Sequence, residues 1–311
     1  MKAPFNIPHQ LADLVDMDSP GAVLDEVLFI MTLIDPRMDP SQISNAFSFM
    51  VSLYQGRWPA EQACNTYFHD LRHITDTTLA MARLIHGAIL TGHHMNQRQI
   101  FTGLVAAMAH DAGYIQDKMD AIGTGAKFTT IHVQRSMDFI EKYGRRYGLN
   151  SDEIPPCRLM IQCTNLDIQI DTIRFSSKTD EFLGKILGCA DLIGQMADRV
   201  YLEKLFYLYR EFKEGQVSGY SDEMDLLSKT LAFFPLVADR MENQLDKLDQ
   251  LAAVHFKSRW NIPWNLYDVA IYRQKEYLTK ILSRPDHNPA KFLRRKNIVQ
   301  NIIARSQSQV P

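Results

Sequence analysis

A chain of 311 residues with 34 basic and 36 acidic side chains, a net charge of −2 and 46% hydrophobic residues is long enough to bury a sizeable core, in one large domain or two. Acids and bases are interspersed, so nothing in the charge balance calls for nucleic acid or an anionic membrane as a partner. The four cysteines (Cys64, Cys157, Cys163, Cys189) show no CxxC spacing, the N-terminus lacks a charged-then-apolar segment, and no apolar run approaches the ~20 residues of a membrane helix, so a reduced, soluble, cytoplasmic protein is expected.

Helical signals dominate along the chain. Ser19-Pro20 and Asp39-Pro40 read as N-caps with a first-turn proline, opening helices over 22–34 and 41–54. A helix over 66–80 would set His69 and His73 one turn apart on one face, with Asp76 three residues further along it. The mostly apolar run from Gln97 to Ala109 ends on His110-Asp111 and is followed by Gly113 as a stop. Short Pro- or Gly-containing breaks at 122–125, 155–156, 215–222, 261–263 and 284–289 separate helical patterns as loops in a bundle do. Residues 179–213 and 221–249 carry apolar side chains at three- and four-residue spacing, whereas strand-like alternation is confined to 166–170 and is too isolated to build a sheet. Tyr67, Phe68 and the methionines Met108, Met119, Met196 and Met224 read as core, and His93-His94 as a surface turn. The C-terminal run Lys291, Arg294, Arg295, Lys296 and Arg305 reads as a solvated helix docked by Phe292, Ile298, Ile302 and Ile303. The expected architecture is all-α: a single multi-helix bundle with N-terminal helices over 1–60, a core over 61–285 and a basic helix or tail over 286–311.

The chemistry concentrates in three places: Tyr67-Phe68-His69-Asp70-Leu71-Arg72-His73-Ile74-Thr75-Asp76, then His110-Asp111, then Asp191 inside Ile186-Leu187-Gly188-Cys189-Ala190-Asp191-Leu192-Ile193. Imidazole nitrogen and carboxylate oxygen hold divalent metals, and a site of His and Asp alone keeps positions open for water and hence for chemistry. An unpartnered carboxylate in an apolar helix is costly to desolvate, so Asp191 needs a metal or a hydrogen-bond donor. Asp70 and Asp76 are candidates to orient His69 or His73 through the other ring nitrogen. Arg72 could equally be a surface residue.

Phe68-His69-Asp70-Leu71-Arg72-His73-Ile74-Thr75-Asp76, Ala109-His110-Asp111 and Ala190-Asp191-Leu192 follow, in order, the pattern of the HD-domain metal-dependent phosphohydrolases. Within that superfamily the chain resembles the catalytic domains of class I cyclic-nucleotide phosphodiesterases, with motifs spread over residues 60 to 245. The resemblance implies that His73, His110, Asp111 and Asp191 hold a first ion (Zn, Mn, Fe or Ni), with Asp111 bridging to a second (Mg or Mn). It also implies that His69 is the general acid and that the substrate is a small phosphoester or nucleotide. Two metals acidify a bridging water at neutral pH, and a histidine can protonate the leaving oxygen. No membrane or nucleic-acid partner is implied, no regulatory domain is expected ahead of Tyr67, and self-association is left open.

The chain also departs from that pattern. Tyr114 stands where the phosphodiesterases carry a further histidine, and of a downstream Glu-His-His only His132 remains as a second-metal candidate. If Pro235-Leu236 is the family's late Pro-Leu, the purine-binding glutamine is replaced by Asp225 and the stacking aromatic by Ser228. Two rivals therefore stand beside the diesterase expectation. One is an HD-type nucleotidase or pyrophosphohydrolase, with Lys118, Lys127 and Arg135 near a terminal phosphate; the other is a metal-binding signalling module without turnover.

Overall fold

The computed structural model describes residues 9–284 and 288–307, the last three by backbone alone. Among them the chain is all-α, with thirteen α-helices and no strand. In order these are α1 (Leu11–Leu14), α2 (Pro20–Ile34), α3 (Pro40–Tyr54), α4 (Leu71–Leu90), α5 (Gln97–Ala109), α6 (His132–Tyr147) and α7 (Ile154–Gln162). There follow α8 (Lys178–Ala197), α9 (Tyr201–Glu214), α10 (Glu223–Asn243), α11 (Leu251–Trp260), α12 (Leu266–Leu282) and α13 (Ile298–Gln307). No helix among the described residues is long and apolar enough to cross a membrane.

The proline-capped helices start where local chemistry places them. Ser19 Oγ accepts the backbone N–H of Ala22, and an Asp39 carboxylate oxygen accepts that of Ser41, each just ahead of a proline whose missing N–H costs nothing in a first turn. Pro155 and Pro156 do the same inside the first turn of α7, so they open a helix where a break was expected. The long apolar pattern over 179–213 divides into α8 and α9, because the chain turns at Asp198, whose backbone is extended. The alternating residues 166–170 form no strand and lead into a single 3-10 turn over Ile170–Thr172.

The central helix is α4, enclosed by α2, α5, α8 and α11. Nearly all of its side chains are buried, polar ones included, as expected for a helix with neighbours on every side. Thr75 and Thr78 satisfy their hydroxyls on the carbonyls of Arg72 and Ile74. Leu79 and Leu84 are fully buried, and truncating either to alanine would cost about 2–5 kcal/mol. Gly194 lets α8 approach α4 closely, since a Cβ there would lie 3.3 Å from the backbone nitrogen of Thr77. That approach brings the carboxylate of α8 to the histidine of α4.

The apolar core runs without interruption from Val15 to Ile302. The C-terminal helix docks as expected: Ile298, Val299 and Ile302 are buried against the bundle, with α13 packed on α9, whereas Ile303 faces outward. The side chain of Arg305 and the expected boundary at 285–286 lie outside the described residues. Two residues read as core are not: Tyr67 is 56% exposed and Met119, in the loop after Tyr114, is 94% exposed.

Candidate metal centre

Four side chains from three helices and one loop start converge. His73 enters from the first turn of α4, His110 caps the C-terminus of α5, Asp111 follows it, and Asp191 comes from the middle of α8. His73 Nε2 lies 3.1 Å from His110 Nε2 and 3.2 Å from both Asp111 Oδ2 and Asp191 Oδ1. His110 Nε2 lies 3.5 Å from each of the same two oxygens. Two ligands at about 2.1 Å from one ion stand roughly 3.0–3.4 Å apart in octahedral or tetrahedral geometry. The site passes that test of fit.

The donor set says the same electrostatically. His110 Nδ1–H donates to the carbonyl of Ala107 at 2.8 Å, which turns the Nε2 lone pair inward. Asp111 Oδ2 is buried without a well-formed hydrogen bond to any described residue, and so is His73 Nδ1. Burial alone favours neutral imidazole at His73, but the hydrogen bonds and charges of Asp111 and Asp191 outweigh it and push His73 up to about 10. Burial likewise opposes ionisation of Asp111 and Asp191, and the flanking histidines overcome it, holding both carboxylates below their usual range. Two converging carboxylates and two inward lone pairs are matched either by protons or by a divalent cation. The buried His73, His110 and Asp111 can hold one.

His69 does not lie on the helix with His73. Asp70 takes the N-cap of α4 in extended conformation, its carboxylate accepting the His73 backbone N–H at 2.9 Å, so the helix cannot extend back to residue 69. The imidazoles still meet edge to face, with centroids 5.8 Å apart.

The structure also corrects the expected orienting acids. Asp70 serves the backbone and Lys204 Nζ, at 3.2 Å, and neither it nor Asp76 bonds a ring nitrogen of His69 or His73. Asp76 instead belongs to a buried ion network with Arg72 (3.7 Å), close to Asp198; burial first and the Asp198 charge second push it up to about 8. Arg72 is thus an internal partner of Asp76 and Asp198.

The acid that does orient His69 is Glu211 of α9, which sequence reading missed. Its Oε2 accepts His69 Nδ1–H at 2.6 Å, while Oε1 accepts the backbone N–H groups of Tyr67 and Phe68 at 2.8 and 2.7 Å. A carboxylate held by two amides fixes the ring and leaves Nε2 as the working atom. The only signal in the sequence was a glutamate amid the aromatics of a strongly patterned helix.

His132 and Tyr114 complete the site. His132 Nδ1–H donates to the Thr129 carbonyl at 2.6 Å, and Nε2 stands 3.6 Å from Asp111 Oδ1. Burial holds this imidazole below its usual value, hence neutral. Gly113 permits the approach, because a Cβ there would fall 2.0 Å from the His132 carbonyl oxygen. The buried Tyr114 ring stacks on both His69 (4.5 Å) and His132 (4.6 Å), and burial keeps its phenol protonated.

Asp225 is not brought to this cluster. It sits in the first turn of α10, accepting the Ser221 N–H and pairing with Lys229 at 2.8 Å. Lys127 is engaged by Asp120, and Arg135 by the carbonyls of Gly113 and Ile115 and the Phe128 ring.

Residues 116–253 match a family described as Npun_R2479-like, over less than half of the chain. That description names no activity. The matched stretch includes His132, Asp191 and Glu211 and begins just after His69, His73, His110, Asp111 and Tyr114. No curated protein matches the sequence.

Proposed function

We propose that this protein is a metal-dependent phosphohydrolase of the HD type, with a small phosphodiester or nucleotide as substrate. The observation that carries the proposal is the convergence of His73, His110, Asp111 and Asp191 beside a histidine, His69, whose second nitrogen is pinned by Glu211. A mere structural clip has no use for the oriented histidine.

A divalent ion held by those four residues would supply charge for the phosphoryl oxygens and a nucleophilic water at neutral pH. Asp111 Oδ1 and His132 Nε2, 3.6 Å apart, would be the groups to hold a second. The protein's own part follows from the geometry. Glu211 holds the Nδ1 proton of His69, so Nε2 carries the proton delivered to the leaving oxygen, and the carboxylate stabilises the imidazolium that precedes delivery. Tyr114, stacked on His69 and His132, excludes water from between them.

A cavity of about 190 Å³ lies against Glu211, lined by Asn65, Thr124 and the stacked rings of Tyr67 and Tyr207. The exposed Tyr67 ring offers a π-face to a base, which supports a nucleotide substrate. The engagement of Lys127 by Asp120 and of Arg135, on α6, by the Gly113 and Ile115 carbonyls weighs against the nucleotidase rival. The Tyr114 ring, occupying the position of a family histidine, favours the turnover-free metal module as the second reading.

Elemental analysis of the purified protein, run beside hydrolysis of bis(p-nitrophenyl) phosphate, p-nitrophenyl phosphate, cAMP and cGMP with added manganese or magnesium, tests this. We expect about one ion per chain or more and turnover of diesters. Monoester turnover alone would move the assignment to a nucleotidase, and bound metal without turnover to the module.

A further inference from the structure

The face of α4 next to the one that carries His73 borders a second cavity, of about 130 Å³, between α1, α4, the end of α8 and α12. That is far more than the roughly 10–15 Å³ a single water needs. Five guanidinium-bearing residues line it: Arg72 and Arg83 from α4, Arg199 after α8, Arg273 from α12, and Arg295. Asp76 and Asp198 also line it, but both are committed to Arg72, at 3.7 and 3.1 Å, and Asp198 further to Lys204 at 3.8 Å. Arg295 donates to the Arg199 carbonyl at 2.6 Å and its charge acts on Glu203, which leaves Arg83 and Arg273 as the cavity's buried and half-buried guanidinium groups without a described acid.

Arg83 carries the argument. It is only 2% exposed, and no described carboxylate lies within ion-pairing distance of it. One amino group donates to the Tyr267 hydroxyl at 3.0 Å, and the guanidinium lies near the Phe256 and Tyr267 rings, yet Nε and Nη2 have no hydrogen-bond partner among the described residues. Burying a cation with two donors unmatched is costly unless an anion completes it. Arg273 is half-buried on the same wall and makes no ion pair with a described residue.

We propose that this cavity is a binding site for a phosphate group, distinct from the metal centre. Guanidinium donors arriving from several helices match the several acceptor oxygens of a phosphate better than the two of a carboxylate. The site takes inorganic phosphate or the phosphate of a small phosphomonoester. The proposal does not depend on the hydrolytic reading. The same two helices carry both sites, with Arg83 and His73 on α4 and Gly194 and Asp191 on α8, so occupancy of one is in mechanical contact with the other.

The test is calorimetric titration of the full-length protein with inorganic phosphate, glycerol 3-phosphate and succinate at constant ionic strength. We expect saturable binding of one phosphate or phosphomonoester per chain, weakened at least about tenfold by Arg273→Gln and by Arg83→Met, and retained in His110→Ala. Arg273→Gln alters a half-buried position and keeps the test decisive should Arg83→Met fail to fold. Tighter binding of glycerol 3-phosphate than of phosphate identifies the ester as the ligand, and the reverse identifies the free ion. Binding lost in His110→Ala but kept in Arg273→Gln assigns the phosphate to the metal centre and overturns the proposal. Succinate binding as tightly as phosphate, or no saturable binding at millimolar concentration, overturns it as well.

Discussion

Two adjoining sides of α4 handle buried charge in opposite ways. On one, His73 meets His110, Asp111 and Asp191, so acceptors converge with nothing but protons of their own to separate them. On the other, Arg72, Asp76, Asp198 and Lys204 alternate in sign and satisfy one another. A mutually compensated network needs no visitor and serves stability. A set of like groups forced together at the cost of desolvation is the mark of a site completed by a ligand. Further along the second side, Arg83 repeats the pattern with the sign reversed.

That contrast can be broken most severely at the convergent side. His110→Ala or Asp191→Ala should abolish bound metal and hydrolysis together; Asp191→Ala with wild-type activity would remove the site assignment. Next in size, His69→Ala should keep its metal while losing about 10²–10⁴-fold in turnover. Glu211→Gln, which loosens the ring without removing it, should lose about 10–100-fold; unchanged kcat in Glu211→Gln would show that His69 needs no orienting acid.

The compensated side should respond in stability instead. Asp198→Ala removes one buried partner from Arg72 and Lys204, which keep Asp76 and Asp70, and should cost about 1–3 kcal/mol in denaturant unfolding, with metal content unchanged; a loss of metal in that variant would join the two sides into one site.

The smallest effect is the pH dependence. His73 is raised above 6.5 to about 10, so its contribution is complete below pH 6.5 and disappears as the pH rises through about 10. Asp191 is depressed below 3.8, so its contribution is present above that value and lost on acidification. Chelated protein should therefore be best stabilised by this cluster between about pH 4 and 6.5 and lose stability towards pH 10. Metal-loaded protein should not show that alkaline decline, because the cation replaces the His73 proton. Metal binding at pH 7 should release protons, measurable by calorimetry in buffers of different ionisation enthalpy.

Legibility in the sequence followed distance along the chain. Caps at Ser19 and Asp39 were readable because donor and acceptor are two or three residues apart. The same kind of local bond misled at His69, where periodicity suggested a helix over 66–80 and the Asp70 cap prevented it. Asp70 and Asp76 are near His69 and His73 in sequence and bond elsewhere, while the partner of His69 lies 142 residues away on α9. Asp225, placed by counting back from a Pro-Leu pair, is held in its own helix turn by Ser221 and Lys229.

By itself the sequence determined an all-α chain and nominated His73, His110, Asp111 and Asp191, because helix signals and metal-ligating residue types are local properties. Only the tertiary structure decided that these four meet, that Glu211 commands His69, that Tyr114 stacks on His69 and His132, and that Arg83 is buried unpaired. Each depends on how α4, α8, α9 and α12 pack, and close packing at contacts such as Gly194 and Gly113 is a property of the assembled helices.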